Sequence, residues 1–144
     1  MDSFKIAHFQ REYNIEFPKI IVLEIAELRQ IQYNFILVFK LGEAATLMDL
    51  LNAMRMNQTV LAHVNADADE FNLLELFTSQ HIIPHEFIYI NWYRFDVIDK
   101  LKFSDLCEYF TDIWYPSSDD IDIFDDSFQW IISISYDGVI YRTN

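Results

Sequence analysis

The pattern of apolar and polar positions is clearest near the C-terminus. Apolar residues there occupy every second position: Phe128, Trp130, Ile132, Ile134 and Tyr136. Ile131 is the one apolar residue on the opposite face, and such alternation predicts a strand. Asp137-Gly138 follows, a pair that favours the two-residue turn matching strand twist. With a return over residues 139–141, the pattern predicts an antiparallel hairpin.

Helical spacing marks two further segments. Thr46 has the features of an N-cap, and Asp49 three residues later completes a capping box, so residues 46–56 are predicted to be a helix. Ser104 is predicted to cap another helix, which Pro116 ends. The apolar residues of this helix recur on one face: Leu106, Tyr109, Phe110, Ile113 and Trp114.

The remaining segments predict three strands and one helix. Residues 33–41 carry β-branched and aromatic residues on both faces, which predicts a buried central strand. Residues 59–64 and 87–95 also have strand composition. Asp67 and Glu70 are predicted to open a helix that stops before Pro84.

The N-terminal part of the chain leaves alternatives open. Residues 4–13 are compatible with a short helix, and residues 20–28 fit a helix or a strand equally.

We expect a single α+β domain over residues 1–144, with a mixed β-sheet, packed helices and a C-terminal antiparallel hairpin. Because strands and helices alternate in the middle of the chain, a three-layer α/β arrangement is the alternative.

Composition places the chain among globular proteins. It has 144 residues, of which 52% are hydrophobic and 17% aromatic, enough for one packed core. Cys107 is the only cysteine, so no intramolecular disulfide is possible. The first residues lack the pattern of a signal peptide, and no apolar run approaches the length of a membrane helix. We therefore expect a cytoplasmic protein.

Charge restricts the kinds of partner. The formal net charge is −13, with seven acids and six bases in residues 1–60 but sixteen acids and four bases in residues 61–144. Residues 103–141 hold nine acids and no lysine or arginine. This balance disfavours nucleic acid and anionic membranes, which attract basic surfaces, and favours a basic protein partner.

Signals for catalysis and for metal binding are weak. Gly42 and Gly138 are the only glycines, so a glycine-rich phosphate loop is excluded. His81 and His85 have the spacing of zinc ligands on a helix, but Pro84 interrupts such a helix. Cys107 follows Leu106 inside the predicted amphipathic helix. A cysteine in such a position is commonly a small buried apolar residue rather than a nucleophile. We predict no catalytic, cofactor or metal site; a hydrolase built on His81, His85 or Glu86 is the least favoured alternative.

The aspartate-rich C-terminal segment is the predicted partner-binding surface. Isolated aspartates cap helices and turns, but a segment without compensating bases is more simply explained by a cationic partner. Trp114 and Tyr115 border this segment, and aromatic residues of this kind anchor interfaces. The candidate residues are Asp112, Trp114, Tyr115, Asp119, Asp120, Asp122, Asp125 and Asp126.

In character the chain resembles the immunity proteins of bacterial contact-dependent and polymorphic toxin systems, which are small, acidic, cysteine-poor α+β proteins. Residues 122–138, DIFDDSFQWIISISYDG, also look like the C-terminal hairpin of small bacterial proteins, some encoded near toxins. The resemblance implies an inhibitor that caps a toxin domain, often a basic nuclease, by complementary charge. An acidic adaptor or regulatory module that binds a basic protein or peptide is the alternative.

Overall fold

Capping groups in the sequence set where several helices begin. A computed structural model describes all 144 residues. Thr46 and Asp49 form the predicted capping box, with Thr46 Oγ1 accepting from the Asp49 amide at 3.2 Å. Asp2 caps the first helix through the Phe4 amide, and Asn72 caps the fourth helix through the Glu75 amide. The helices are α1 (Ser3–Tyr13), α2 (Ile25–Val38), α3 (Leu47–Met56), α4 (Leu73–Ser79), α5 (Phe103–Glu108) and α6 (Phe110–Ile113).

Seven strands form one antiparallel sheet in the order β1-β4-β3-β5-β6-β7-β2. The α+β class is confirmed, and the predicted hairpin is present as β6 and β7. Every strand pair is antiparallel, so the sheet is not mixed. The strands are β1 (Ile21–Val22), β2 (Thr59–Asn65), β3 (Phe87–Asn91), β4 (Ile98–Lys102), β5 (Ile121–Phe124), β6 (Ile131–Ile134) and β7 (Val139–Thr143).

Helices cover both faces of this sheet and create two hydrophobic cores. The larger core includes side chains from α4, α5 and α6, and Ile132 and Ile134 face it. The smaller core lies under α2 and α3, and Ile131 faces it. The single apolar residue that the hairpin pattern placed on the opposite face therefore fills the second core.

The predicted central strand over residues 33–41 is wrong, because most of this segment belongs to helix α2. Ile31 and Phe35, four residues apart, are buried on one face, while Tyr33 and Leu37 are more than half exposed. The Phe35 ring packs against the rings of Phe39, Phe95, Phe124 and Phe128. Apolar residues on both sides of the segment therefore reflect one buried face and one exposed apolar face of a helix.

Three other predicted elements have different boundaries in the structure. The strand predicted over residues 87–95 ends at Asn91, because the Asn91 side-chain oxygen accepts a hydrogen bond from the Phe95 amide at 2.7 Å and closes a turn. The helix predicted from Ser104 is two short helices that meet at Tyr109. In addition, the helix predicted from Asp67 begins only at Leu73.

Both edges of the sheet are protected against further strand pairing. At one edge β1 has only two residues. At the other edge the β2–β7 register shifts between Val60 and Asn65, with four residues of β2 opposite only Ile140 of β7. A short edge strand and a bulge are two of the devices that limit edge-to-edge association.

Candidate functional site

Three of the eight residues predicted to bind a partner are buried. Trp114 is 2% exposed, Asp125 is 1% exposed and Asp122 is 9% exposed. Asp122 lies in β5, a central strand that sequence reasoning treated as part of an exposed acidic segment. The prediction that these three residues lie on the protein surface is wrong, because the segment forms part of the sheet and its turns.

Asp119 and Tyr115 hold the first helix against the rest of the domain. The Asp119 carboxylate pairs with the ammonium group of Lys5, which is almost fully buried, and also accepts from the Tyr115 amide at 2.7 Å. The Lys5 nitrogen lies 4.5 Å from the centre of the Tyr115 ring and 4.6 Å from that of Trp92. Both residues are therefore occupied by intramolecular contacts.

The other predicted carboxylates serve separate contacts. Asp112 accepts from the Tyr13 hydroxyl at 3.1 Å, and its charge and this hydrogen bond raise the pKa of Tyr13. Asp120 accepts from the Tyr136 amide at 3.0 Å, whereas Asp126 pairs with His85. Asp120 and Asp126 lie beyond opposite ends of β5, so the eight residues do not form one surface.

A different group of exposed carboxylates lies on chain segments that meet in the structure, and sequence reasoning missed it. The β2–α4 connection, helix α4 and the β6–β7 turn meet at one corner of the domain and present five exposed acids. The sequence signal that could have revealed this group is the absence of any lysine or arginine in residues 56–93. We call this group the acidic corner: Asp67, Asp69, Glu70, Glu75 and Asp137.

Asn65 joins the parts of the acidic corner. Its side-chain amide donates to the Asp137 carbonyl at 3.2 Å, and its side-chain oxygen accepts from the Asp67 amide at 2.8 Å. The Ala66 amide donates to the Gly138 carbonyl at 2.8 Å. Gly138 has φ of +80°, and a Cβ there would overlap the Asn65 side chain. Glycine therefore allows the hairpin turn to approach the β2 end closely.

The acidic corner also has a groove and exposed apolar groups. A groove of about 280 Å³ lies between the end of β2 and the start of α4, with Val64, Glu70 and Glu75 among its lining residues. Leu74 on α4 is 54% exposed and Tyr136 in the hairpin turn is 55% exposed. Exposed tyrosines are enriched in protein interfaces, and charges around them steer the approach of an oppositely charged partner.

A row of polar side chains crosses the sheet beneath α3. The strand register places Asn91 of β3, Asp122 of β5, Ser133 of β6 and Tyr141 of β7 side by side. The Asp122 carboxylate accepts from the Ser133 hydroxyl at 2.6 Å and from the Asn91 amide at 2.8 Å. Burial raises the pKa of Asp122, and these two hydrogen bonds oppose that effect only in part.

The floor of a pocket of about 310 Å³ is formed by three residues of this row, Asp122, Ser133 and Tyr141. Leu51, Met54 and Arg55 of α3 line one wall, while Tyr93 and Asp120 are further lining residues. The Arg55 guanidinium lies 3.4 Å from the Tyr93 hydroxyl. Concave sites that combine apolar walls with a few convergent polar groups are typical binding sites for small groups.

His85, Asp125 and Asp126 form the one cluster of three metal-ligating groups, whose ligand atoms lie within 4.8 Å of one another. Asp125 is already engaged, because it accepts from the His85 amide at 3.0 Å and from the Ser127 amide at 3.0 Å. His85 and Asp126 are mostly exposed and pair through Nδ1 and Oδ1. The hydrogen bond that the His85 ring donates to the Asp126 carboxylate raises the pKa of His85. The cluster therefore fastens the β5–β6 connection to the residues before β3.

Cys107 lacks the environment of an activated nucleophile. Burial raises the pKa of its thiol to about 11, so the thiol stays protonated near neutral pH. This agrees with a side chain packed at the edge of the larger core.

None of the helices is long and apolar enough to span a lipid bilayer. Comparison with known proteins finds no matching family model, no matching curated protein and no matching solved structure.

Proposed function

We propose that this chain is an immunity protein, which binds and neutralises a cognate bacterial toxin domain through the acidic corner. A basic toxin domain, such as a nuclease, is the partner that this surface fits. Sixteen carboxylates are exposed over the whole chain, compared with seven exposed lysines and arginines. A field of one sign attracts an oppositely charged partner and raises its association rate.

The observation that carries this proposal is the convergence of five exposed carboxylates from three chain segments. Like charges on one surface repel one another, and the 56–93 segment contributes no base to offset them. Mixed-sign surfaces keep a protein soluble without that repulsion. A cationic partner is the simplest reason to keep such a corner.

Short-range contacts at the acidic corner supply the affinity that charge alone does not. Tyr136 lies next to Asp137 in the hairpin turn, and tyrosine is enriched among residues that dominate binding energy. The exposed Leu74 on α4 adds apolar surface. Charges steer the encounter, while these side chains are buried on docking.

The aspartate-rich segment first expected to bind the partner has a supporting role in this proposal. Asp120 accepts from the Tyr136 amide and so fixes the hairpin turn that carries Asp137. The effect of Asp120 on binding is therefore indirect, through the position of the turn.

The test begins with affinity capture of the partner from the source cells and its identification by mass spectrometry. Binding of the purified partner is then measured for a variant with neutral isosteres at the acidic corner: D67N, D69N, E70Q, E75Q and D137N. A matched control removes five exposed carboxylates elsewhere: E12Q, E16Q, E43Q, D96N and E108Q.

We expect the corner variant to associate about tenfold more slowly at low salt, and with a weaker salt dependence, than the control variant. Equal association rates for the two variants would overturn the acidic corner as the binding surface. Loss of a toxic activity on binding supports an immunity protein. A basic partner without toxic activity supports instead the adaptor module that binds a basic protein or peptide.

A further inference from the structure

The pocket beneath α3 has an imbalance of charge at its floor. Asp122 is 9% exposed, and its two neighbours across the sheet, Asn91 and Ser133, are neutral hydrogen-bond donors. The four ion pairs of the structure involve neither Asp122 nor Arg55. A buried carboxylate without a cationic partner is unfavourable in its ionised form.

Asp122, which lines the pocket, keeps unused capacity to accept hydrogen bonds. A carboxylate offers about four lone-pair sites, and the two neutral donors engage one site on each oxygen. Asp122 and Asp120 both line the pocket, so a group that enters meets two carboxylates. Asp120 uses one of its oxygens for the Tyr136 amide.

Arg55 is the one basic lining residue, and it lies toward Tyr93 rather than on the floor. Its exposed guanidinium balances part of the pocket charge but does not neutralise Asp122 directly. The two carboxylates and one guanidinium leave the pocket with an excess of negative charge.

We propose that this pocket binds a cationic group, a guanidinium or a primary ammonium on a short apolar stem. The cation pairs with Asp122 at the floor and with Asp120, while the stem packs against Leu51 and Met54. A volume of about 310 Å³ accommodates a group of this size. The pocket and the acidic corner share no lining residue, although Asp120 of the pocket also accepts from the Tyr136 amide in the turn of the corner.

The probe for this site is ethylguanidinium chloride, added to the ¹⁵N-labelled protein at constant ionic strength and followed by amide chemical shifts. N-ethylurea, which is similar in shape and neutral, is the matched control ligand. We expect saturable shifts with ethylguanidinium at Gln58, Tyr93, Asp122 and Ser133, and no saturable shift with N-ethylurea.

Two variants give opposite expected results. Asp122→Asn keeps the shape of the side chain and removes its charge, so binding becomes about tenfold weaker, as expected for loss of a charge-assisted contact. Arg55→Gln removes a repulsive charge from an exposed position, so binding becomes tighter by about threefold. Because Arg55 is on the surface, its variant tests the proposal even if the Asp122 variant perturbs the fold.

A tripeptide with a central arginine and blocked ends distinguishes a protein side chain from a free small cation. Tighter binding of the tripeptide than of ethylguanidinium identifies an arginine of a protein as the natural ligand, and weaker binding identifies a free cation. Absence of saturable shifts at the pocket with both probes overturns the proposal. Equal binding by the wild type and both variants, or equal shifts with N-ethylurea, also overturns it.

Discussion

Lys5 in the first helix forms an almost fully buried ion pair with Asp119, which lies 114 positions later in the chain. The same ammonium group donates to the Ile113 carbonyl at 2.6 Å and lies over the Trp92 and Tyr115 rings. One lysine thus fastens α1 to α6 and to the loop that follows it. The charge pattern of the sequence predicted that Asp119 binds a partner, but Lys5 of the same chain neutralises it.

We expect Lys5→Met to lower the free energy of unfolding by about 3–5 kcal/mol, because it leaves the Asp119 carboxylate without its cation in a mostly buried position. Chemical denaturation followed by fluorescence of the tryptophans measures this change. Lys102→Met is the control, since Lys102 pairs with Glu86 at 3.3 Å on the surface and half of its side chain is exposed. Its expected effect is below about 1 kcal/mol.

Adding Asp119→Asn to Lys5→Met should restore part of the lost stability, because the unpaired charge is then removed as well. A double variant no more stable than Lys5→Met would show that the lysine acts through packing rather than through the ion pair.

Local signals in the sequence predicted local structure well. The Thr46–Asp49 capping box depends on neighbours within a few residues and is present. The hairpin also turns near Asp137-Gly138, but through a three-residue loop over residues 136–138 rather than the predicted two-residue turn, because the Ser135 amide donates to the Val139 carbonyl. The role of residues 33–41 depended on whether their second apolar face was covered by other elements, which periodicity alone does not reveal. The break at Tyr109 was likewise hidden within a continuous apolar stripe.

The candidate site was harder to predict, because carboxylates look alike in a sequence whether they are buried or exposed. Alternation of Asp120 and Asp122 with Ile121 and Ile123 was the available signal for strand β5. The partners of Asp122 come from two other strands, Asn91 being 31 positions away. The acidic corner depends in the same way on contacts between distant segments, such as Asn65 with Asp137.

The His85–Asp126 pair predicts that stability depends on pH above about pH 6.5, which is the ordinary pKa of a histidine side chain. The pKa of His85 is raised in the folded state by the hydrogen bond that its ring donates to the Asp126 carboxylate, so folding favours the protonated ring. This contribution is fully present below the unfolded pKa and is lost as pH rises through the higher folded pKa. Stability should therefore decline over this range more in the wild type than in His85→Gln.

NMR titration of the ring resonances checks the direction directly. His85 should titrate above an ordinary histidine in the wild type and should move toward the ordinary pKa in Asp126→Asn. Since both side chains are mostly exposed, the effect on stability should be small and should weaken with added salt. A His85 titration that is the same in both proteins would contradict the assigned pair.

Asp122→Asn is expected to increase stability at neutral pH. Burial raises the pKa of Asp122, so the folded state favours its protonated form. That stabilisation is present below the unfolded value of about 3.9 and is lost as pH rises through the folded pKa. The asparagine variant carries no such charge and keeps hydrogen-bonding capacity toward Ser133 and Asn91.

The difference in free energy of unfolding between wild type and Asp122→Asn should therefore grow from acidic to neutral pH and then become constant. Urea denaturation at several pH values measures it. Asp96→Asn is the control, because Asp96 is exposed, and its difference from wild type should stay near zero. A wild type that is more stable than Asp122→Asn at neutral pH would indicate an ionised carboxylate that is better compensated than these contacts suggest.

Gly138→Ala tests the close approach that assembles the acidic corner. At φ of +80° an alanine is strained, and its Cβ would also lie 2.9 Å from the Asp67 amide nitrogen. We expect a loss of about 1–3 kcal/mol in unfolding free energy. Gly42→Ala is the matched control, since a Cβ there meets nothing within 4 Å, and its effect should remain within about 0.5 kcal/mol.

The same substitution should separate the geometry of the acidic corner from its charge. Alanine at position 138 must displace the Asn65 side chain, which holds both the Asp67 amide and the Asp137 carbonyl. The net charge is unchanged, so long-range attraction of a basic partner persists, whereas the fit of the docked complex deteriorates. We therefore expect faster dissociation of the partner with a nearly unchanged association rate, measured by surface plasmon resonance below the melting temperature of the variant. Unchanged dissociation in a destabilised Gly138→Ala protein would place the contact surface away from this corner.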